Sequence, residues 1–89
     1  MTIPIIDVES SCKKLKQLCE QKGYTAKDLQ LALGLESRQS CYKWFAGKNI
    51  PSIDNLLIIT HLLNVKLEDI IITNEINTQK ENNYGKKKY

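Results

Sequence analysis

The residues whose types and spacing could do chemistry are concentrated in segment 37–53. The segment holds no aspartate or glutamate, and its cations are Arg38, Lys43 and Lys48. Gln39 and Ser40 directly follow the arginine and add uncharged hydrogen-bonding groups. Guanidinium, ammonium and amide groups donate to phosphate oxygens and also pair with the edges of nucleobases. The segment therefore favours contact with a polyanion, although a solvated charged face would have the same composition.

A helix over residues 38–46 divides this segment into two sides. At about 100° per residue, the apolar residues that fall on one side are Cys41, Trp44 and Phe45. The residues on the opposite side are Gln39, Lys43 and Ala46, with Tyr42 beside them. We therefore predict that the apolar side packs in the core while the polar side faces outward.

Capping residues define the two helices that precede this segment. Asp7 can cap a first helix over 8–22, because a carboxylate accepts from free N–H groups at a helix start. Thr25 and Asp28 have the spacing of a capping box and open a second helix that ends at Gly34. The second helix and the helix over 38–46 are therefore joined by a short glycine-containing turn.

Two further helices complete the predicted fold. Ser52 caps a fourth helix that ends before Asn64, and a short fifth helix follows over 66–71. Residues 70–72 are three isoleucines, which could instead extend as a strand. The fourth helix is predicted to bury Ile53, Leu56, Leu57, Leu63 and either Ile59 or Thr60.

The order of these motifs resembles one known family over roughly residues 10–71. The stretches that carry the resemblance are TAKDLQLALGL, SRQSCYKWFAGK, PSIDNL and NVKLEDI. Together they are similar to the lambda-repressor-like, XRE-type (Cro-type) helix-turn-helix family. The resemblance implies an all-α fold of five compact helices. It also implies that the second helix of the helix-turn-helix enters the major groove of duplex DNA.

Two residues depart from the usual family pattern. Glu36 is an extra residue between the turn glycine and the recognition helix, and a subset of small bacterial members shares this longer turn. Ala26 stands at the start of the second helix, where the family often has a glutamine that donates to a phosphate. The first departure affects the tilt of the recognition helix, and the second removes a side-chain phosphate contact.

The resemblance and the residue chemistry together give the candidate DNA contacts. Four residues match the family's usual base-reading positions: Arg38, Gln39, Ser40 and Lys43. Lys48 and Asn49 match the following loop, which holds the DNA backbone in the family. Thr25 and Lys27 can meet phosphates at the start of the second helix. Tyr42 either touches the DNA backbone or covers the edge of its helix.

Composition predicts three regions along the chain. Residues 1–7 form an extended N-terminal arm, because Pro4 disfavours helix for the residue before it. Residues 8–72 form the helical domain. Residues 73–89 lack apolar periodicity, carry a net charge of +2 out of +3 for the whole chain, and are predicted to be a disordered basic tail.

Other chemistry finds no support in the sequence. The cysteines are Cys12, Cys19 and Cys41, and neither they nor the single His61 has the ligand spacing of a zinc site. We therefore expect no metal or cofactor. No motif indicates an enzyme, a secretory signal or a membrane span. The odd cysteine number fits a reducing cytoplasm better than a disulfide framework.

The sequence thus predicts a small transcriptional regulator, a repressor, that binds double-stranded DNA as a weak homodimer. A different class remains open: an antitoxin or protein-interaction module that binds a toxin or another regulator. Its contact surface would be apolar and would lie near residues 70–72 or the N-terminal arm.

Overall fold

A computed structural model describes residues 1–77 of the chain, and this part contains five helices. The five-helix prediction is confirmed. The helices are α1 Val8–Lys22, α2 Ala26–Leu33, α3 Gln39–Phe45, α4 Ile53–Leu63 and α5 Leu67–Ile70. Helix α3 is one residue shorter at each end than predicted, and so is α5, which is within the usual variation of helix ends.

Helices α1, α2 and α4 begin at the capping residues that the sequence indicated, namely Asp7, Thr25 and Ser52. The Asp7 carboxylate accepts from the Ser10 N–H at 2.9 Å, which opens α1. The Thr25 hydroxyl accepts from the Asp28 N–H at 3.2 Å to open α2. Such side chains satisfy N–H groups that have no partner inside the helix, and this fixes where each helix starts.

The turn between α2 and α3 depends on Gly34. Its φ is +68°, a left-handed conformation in which a side chain would be strained. The Leu35 N–H donates to the Gln30 carbonyl at 3.0 Å, which closes the end of α2. The chain then reaches α3 through residues 35–38, all but the half-buried Leu35 being exposed.

The core contains side chains from every helix. Its most buried apolar residues are Leu15, Cys19, Leu29, Cys41, Trp44, Leu56, Ile59, Leu63 and Ile70. Helix α4 departs from its prediction, because Ile53 is 61% and Leu57 58% exposed. The buried side of α4 is instead formed by Leu56, Ile59, Thr60 and Leu63, and a second apolar side of the same helix faces outward.

A two-stranded antiparallel ribbon adds to the helical domain. Strand β1 (Thr2–Ile6) pairs with β2 (Thr73–Asn77), and the cross-strand pairs include Ile3 opposite Ile76. The predicted extended arm is thus a paired strand. The prediction that the disordered tail begins at residue 73 is wrong for residues 73–77. The rest of that predicted tail lies outside the described residues.

Hydrogen bonds at the base of the ribbon explain why these residues are ordered. The Asp7 N–H donates to the Ile72 carbonyl at 2.8 Å, and the Asn74 amide donates to the Asp7 carboxylate at 2.9 Å. The buried Ser11 hydroxyl accepts from the Ile72 N–H at 2.7 Å. These bonds join the start of α1 to the residues after α5, so the two strands leave the domain side by side.

Candidate nucleic-acid interface

Helix α3 has the two sides that the sequence predicted. Cys41 and Trp44 are buried against the other helices, and Phe45 is half-buried. Gln39 and Lys43 are exposed on the other side of the helix. We call the exposed residues Arg38, Gln39, Ser40 and Lys43 the polar face. The buried side fixes the helix in the core, so the polar face is presented on a rigid element.

All nine predicted contact residues are exposed. They are Thr25, Lys27, Arg38, Gln39, Ser40, Tyr42, Lys43, Lys48 and Asn49. They belong to three neighbouring parts of the fold, namely the start of α2, helix α3 and the loop that follows α3. Contacts between α2 and α3 hold the first two parts together. Together these nine residues carry hydrogen-bond donors and positive charge, which suits a phosphate-rich ligand.

At the start of α2, the donors of Thr25 are already engaged. Its N–H donates to the Asp28 carboxylate at 2.8 Å, and its hydroxyl donates to the same carboxylate at 3.0 Å. These bonds from the Thr25 N–H and hydroxyl hold the pKa of Asp28 below its ordinary value. A phosphate at this helix start would therefore meet Lys27 and the free N–H groups of the first turn more readily than the Thr25 hydroxyl.

The loop after α3 is held from two sides. The Lys48 N–H donates to the Lys43 carbonyl at 3.0 Å, which ties the loop to the end of α3. The Cys12 thiol donates to the Asn49 carbonyl at 3.3 Å, which ties it to α1. Because the backbone is fixed, the exposed side chains of Lys48 and Asn49 extend from a defined position.

Two lysines near this loop were missed from the sequence. Lys13 and Lys16 line a cavity of about 200 Å³ together with Glu9, Phe45, Ala46 and Gly47. Both lysines are exposed on α1, so they add positive charge beside the end of α3. Their spacing of three residues on the polar side of α1 is a usable sequence signal. The spacing alone does not show that the polar side of α1 lies next to the recognition helix.

A second missed residue is Gln30, on α2. Its side-chain oxygen accepts from the Arg38 Nε–H at 3.1 Å, and its amide nitrogen donates to the Leu35 carbonyl at 3.4 Å. No local pattern indicates this contact, because it depends on the path of the turn between the two helices.

The cysteines have the environment of core residues. All three are free, buried thiols. Burial raises the pKa of Cys12 and of Cys41, and burial with smaller contributions from Cys41 and Glu20 raises the pKa of Cys19 to about 11. Thiols in this state are poor nucleophiles and poor metal ligands. Within residues 1–77, no group of three or more His, Cys, Asp or Glu side chains could hold a metal ion.

A second exposed surface is apolar. A groove of about 480 Å³ is lined mainly by Ile6, Ile50, Pro51, Ile53, Leu56, Leu67 and Ile71, with Glu68 and Thr73 also contributing. Leu57, one turn beyond Ile53 on α4, is also exposed. We call the lining residues the apolar groove; Leu57 is not one of them, but it adjoins Leu56 in sequence. No helix in the described part of the chain is long and apolar enough to cross a membrane.

Comparison with known proteins identifies the class of this fold. The helix-turn-helix family profile matches residues 15–70, which is more than half of the chain. The chain therefore belongs to the helix-turn-helix family, in its XRE or lambda-repressor-like form, a class of DNA-binding transcription regulators. The resemblance seen in the sequence is thereby confirmed.

A solved structure gives a similar result for the fold. The chain is similar to the restriction-modification controller protein C.AhdI from Aeromonas hydrophila, known from a high-resolution crystal structure. The TM-score is 0.63 at 22% sequence identity, and the match covers 72% of this chain and 96% of that protein. No curated protein matches the sequence of this chain.

Proposed function

We propose that this chain binds specific sequences of double-stranded DNA and represses transcription, with α3 lying in the major groove. The observation that carries the proposal is the polar face. It is exposed and free of carboxylates, and it lies on the second helix of a helix-turn-helix whose other side is buried. A helix in this position can present side chains to base edges while its neighbours contact the phosphates.

The chemistry of the polar face supports a division of roles. Arg38 and Lys43 can donate to the two acceptors of guanine, and the Gln39 amide can pair with adenine through two hydrogen bonds. Ser40, in the first turn of α3, can pair with either. These four residues are the proposed base-reading set.

The proposed backbone contacts lie on both sides of this set. Lys48 and Asn49 lie in the loop after α3, and Lys27 and Thr25 lie at the start of α2. Tyr42 is 55% exposed on α3, the helix that carries the proposed base-reading set. Such contacts set the position and register of a protein on DNA and contribute little to sequence preference.

The buried free thiols fit a reducing compartment, and we place the proposed action in the cytoplasm. Repression is the proposed sign of regulation. A small chain bound at a promoter lowers transcription by occupying the DNA. The controller protein to which the fold is similar supports a regulatory role in general.

We further propose that two copies of the chain associate through the apolar groove. Residues 55–65 of α4 and the following turn contain no aspartate, glutamate, lysine or arginine. A two-fold axis brings identical side chains together, and the lining of the groove is apolar except for Glu68 and Thr73, so few like charges meet there. A self-complementary contact needs projecting side chains and a groove on the same chain. This chain has both, since Ile53 and Leu57 are exposed on α4 and the groove is formed partly by the same helix.

The association also follows from the DNA proposal. One recognition helix reads only a few base pairs, and two copies related by a two-fold axis read two half-sites about 34–36 Å apart. The exposed apolar residues would be covered in such a dimer. This explains why α4 has apolar side chains on two of its sides.

Selection of duplexes from a random pool tests the main proposal. The full chain should recover a defined motif, arranged as an inverted repeat if two copies bind together. Recovery of DNA with no common sequence and with strong salt sensitivity would contradict specific regulation, because phosphate contacts alone produce that result.

The apolar groove also bears on the alternative function. An antitoxin or interaction module would use it to bind a toxin or another regulator rather than a second copy, since Ile71 and Ile6 are part of its lining. Sedimentation of the purified chain distinguishes self-association from binding of a different protein at the groove. A concentration-dependent dimer supports self-association. A monomer at high concentration would favour a different protein partner.

A further inference from the structure

The side chain of Gln30 connects α2, the turn and the start of α3. Its amide nitrogen donates to the Leu35 carbonyl at 3.4 Å, and its amide oxygen accepts from the Arg38 Nε–H at 3.1 Å. The chemistry of the partners fixes the orientation of the amide, because arginine can only donate and a carbonyl can only accept. Gln30 is half-buried, so its own rotamer is limited by packing.

Arg38 needs such a partner if it is to read a base. It is exposed, it is the residue just before α3, and its side chain makes no capping bond to that helix. A free arginine side chain adopts many rotamers and loses that freedom when it binds. With Nε held by Gln30, the two terminal amino groups remain as the paired donors that match the two acceptors of guanine.

The position of Gln30 also relates to the path of the turn. The turn contains the exposed residue Glu36. Gln30 bonds to one residue on each side of Glu36, namely Leu35 and Arg38. A single side chain therefore links the residues on either side of Glu36 and holds them relative to α2.

From these contacts we infer that Gln30 is a positioning residue that orients the Arg38 guanidinium for base reading across the turn between α2 and α3. The inference rests on the proposed function, because it assumes that Arg38 contacts a base. Gln30 itself contacts no DNA in this arrangement. Its effect is on the affinity and base preference that Arg38 provides.

The test compares Gln30→Met, Gln30→Glu, Arg38→Ala and the Gln30→Met/Arg38→Ala double variant in the full chain. The probe is the duplex recovered by the wild type, together with versions changed at single base pairs. Gln30→Met keeps the length of the side chain and removes both hydrogen bonds. It should weaken binding about three- to tenfold, since one side chain must now be ordered on binding, and it should relax the preference at one base pair.

Two comparisons separate positioning from a structural role. Gln30→Met should have no further effect on binding in the Arg38→Ala background, and any fall in melting temperature from the lost bond to Leu35 should be the same in both backgrounds. Gln30→Glu retains an acceptor for Nε and should restore the base preference, although its charge lowers affinity for all sequences alike. Gln17→Met, on the exposed surface of α1, is the matched control and should leave binding unchanged.

The failure of this inference differs from that of the proposed function. If the wild type recovers a defined motif and Gln30→Met keeps wild-type affinity and base preference, the positioning role is wrong and the DNA proposal stands. Equal losses from Gln30→Met with and without Arg38 would also overturn it. If the wild type recovers no motif, both proposals are wrong.

Discussion

The polar face and the apolar groove are both exposed, but they differ in how their side chains are held. On the polar face, Arg38 is bonded to Gln30, and the nearby Lys48 backbone is bonded to Lys43. At the groove, Ile53 and, one turn further along α4, Leu57 are exposed apolar side chains, which form no directional bonds. The first surface is arranged for directional hydrogen bonds, and the second is suited to a partner that excludes water.

This difference predicts opposite results from mutation. Changes on the polar face should alter DNA binding and leave folding intact. Polar changes in the groove should alter association and leave each folded chain intact. Only residues beneath these surfaces should affect folding strongly.

Trp44→Ala should have the largest effect. Trp44 is 4% exposed on the buried side of α3, so its removal leaves a cavity and costs roughly 3–5 kcal/mol of folding free energy. Urea unfolding measures this cost. Tyr42→Ala on the same helix is the control, since Tyr42 is 55% exposed and its removal should change stability by about 0.5 kcal/mol or less. An unchanged stability for Trp44→Ala would mean that α3 is not anchored by its apolar side.

The contribution of Trp44 to the core could be predicted from sequence, but the exposure of Leu57 could not. Helical periodicity separates the polar side of a helix from its apolar side. On α3 this is enough to decide which side is buried, because Gln39 and Lys43 lie opposite the buried residues. Helix α4 is apolar on two sides. Periodicity gives no means of deciding which of them faces the core, and Ile53 and Leu57 were assigned to the wrong one.

The same limit applies to contacts between distant parts of the chain. Asp7, Thr25 and Ser52 were predicted as caps because a cap and its helix are adjacent in sequence. The bond from Asn74 to Asp7 joins residues 67 positions apart, and no local signal at residue 74 indicates its partner. The ribbon was therefore predicted as an arm and a tail, and the Gln30–Arg38 contact was not predicted at all.

Leu57→Lys should have the second largest effect and tests the groove. A charge at a self-associating apolar surface is repelled by its copy, so sedimentation should show a monomer. Binding to a duplex with two half-sites should fall about a hundredfold or more, because the two copies no longer bind as one unit. Affinity for a single half-site should be unchanged.

A matched variant tests whether the position matters. Leu31→Lys places the same charge at another exposed leucine, which is 69% exposed and lies on α2 rather than on α4, the helix that contributes Ile53 and Leu56 to the groove. It should leave the dimer intact. Equal loss of the dimer in both variants would contradict an interface at the groove.

Gln39→Ala tests base reading on the polar face. The variant should lose about 1–3 kcal/mol of discrimination at one base pair, because an alanine makes no hydrogen bond to adenine. Competition binding with duplexes changed at single positions measures this loss. Folding stability and dimer formation should not change, since Gln39 is exposed and lies outside the groove.

Lys48→Ala tests the backbone contact and should have a smaller effect. Binding should weaken for all sequences alike, and the slope of log affinity against log salt should decrease by about one, as expected for one lost phosphate contact. Affinity measured over a range of salt concentrations gives the slope. A sequence-dependent loss equal to that of Gln39→Ala would contradict the separation of the two roles.

Asp28→Asn should have the smallest effect and tests the cap at the edge of the polar face. Hydrogen bonds from Thr25 lower the folded-state pKa of Asp28. Their stabilisation is therefore present above the unfolded-state pKa and is lost as pH falls through the lower folded value. The variant should be less stable at pH 7, and it should lose less stability than the wild type on acidification.

Asp54→Asn is the control, because Asp54 is a first-turn carboxylate of α4 while the cap there is the hydroxyl of Ser52. If both variants flatten the acid dependence equally, the effect comes from helix-end charge in general and not from the bonds between Asp28 and Thr25.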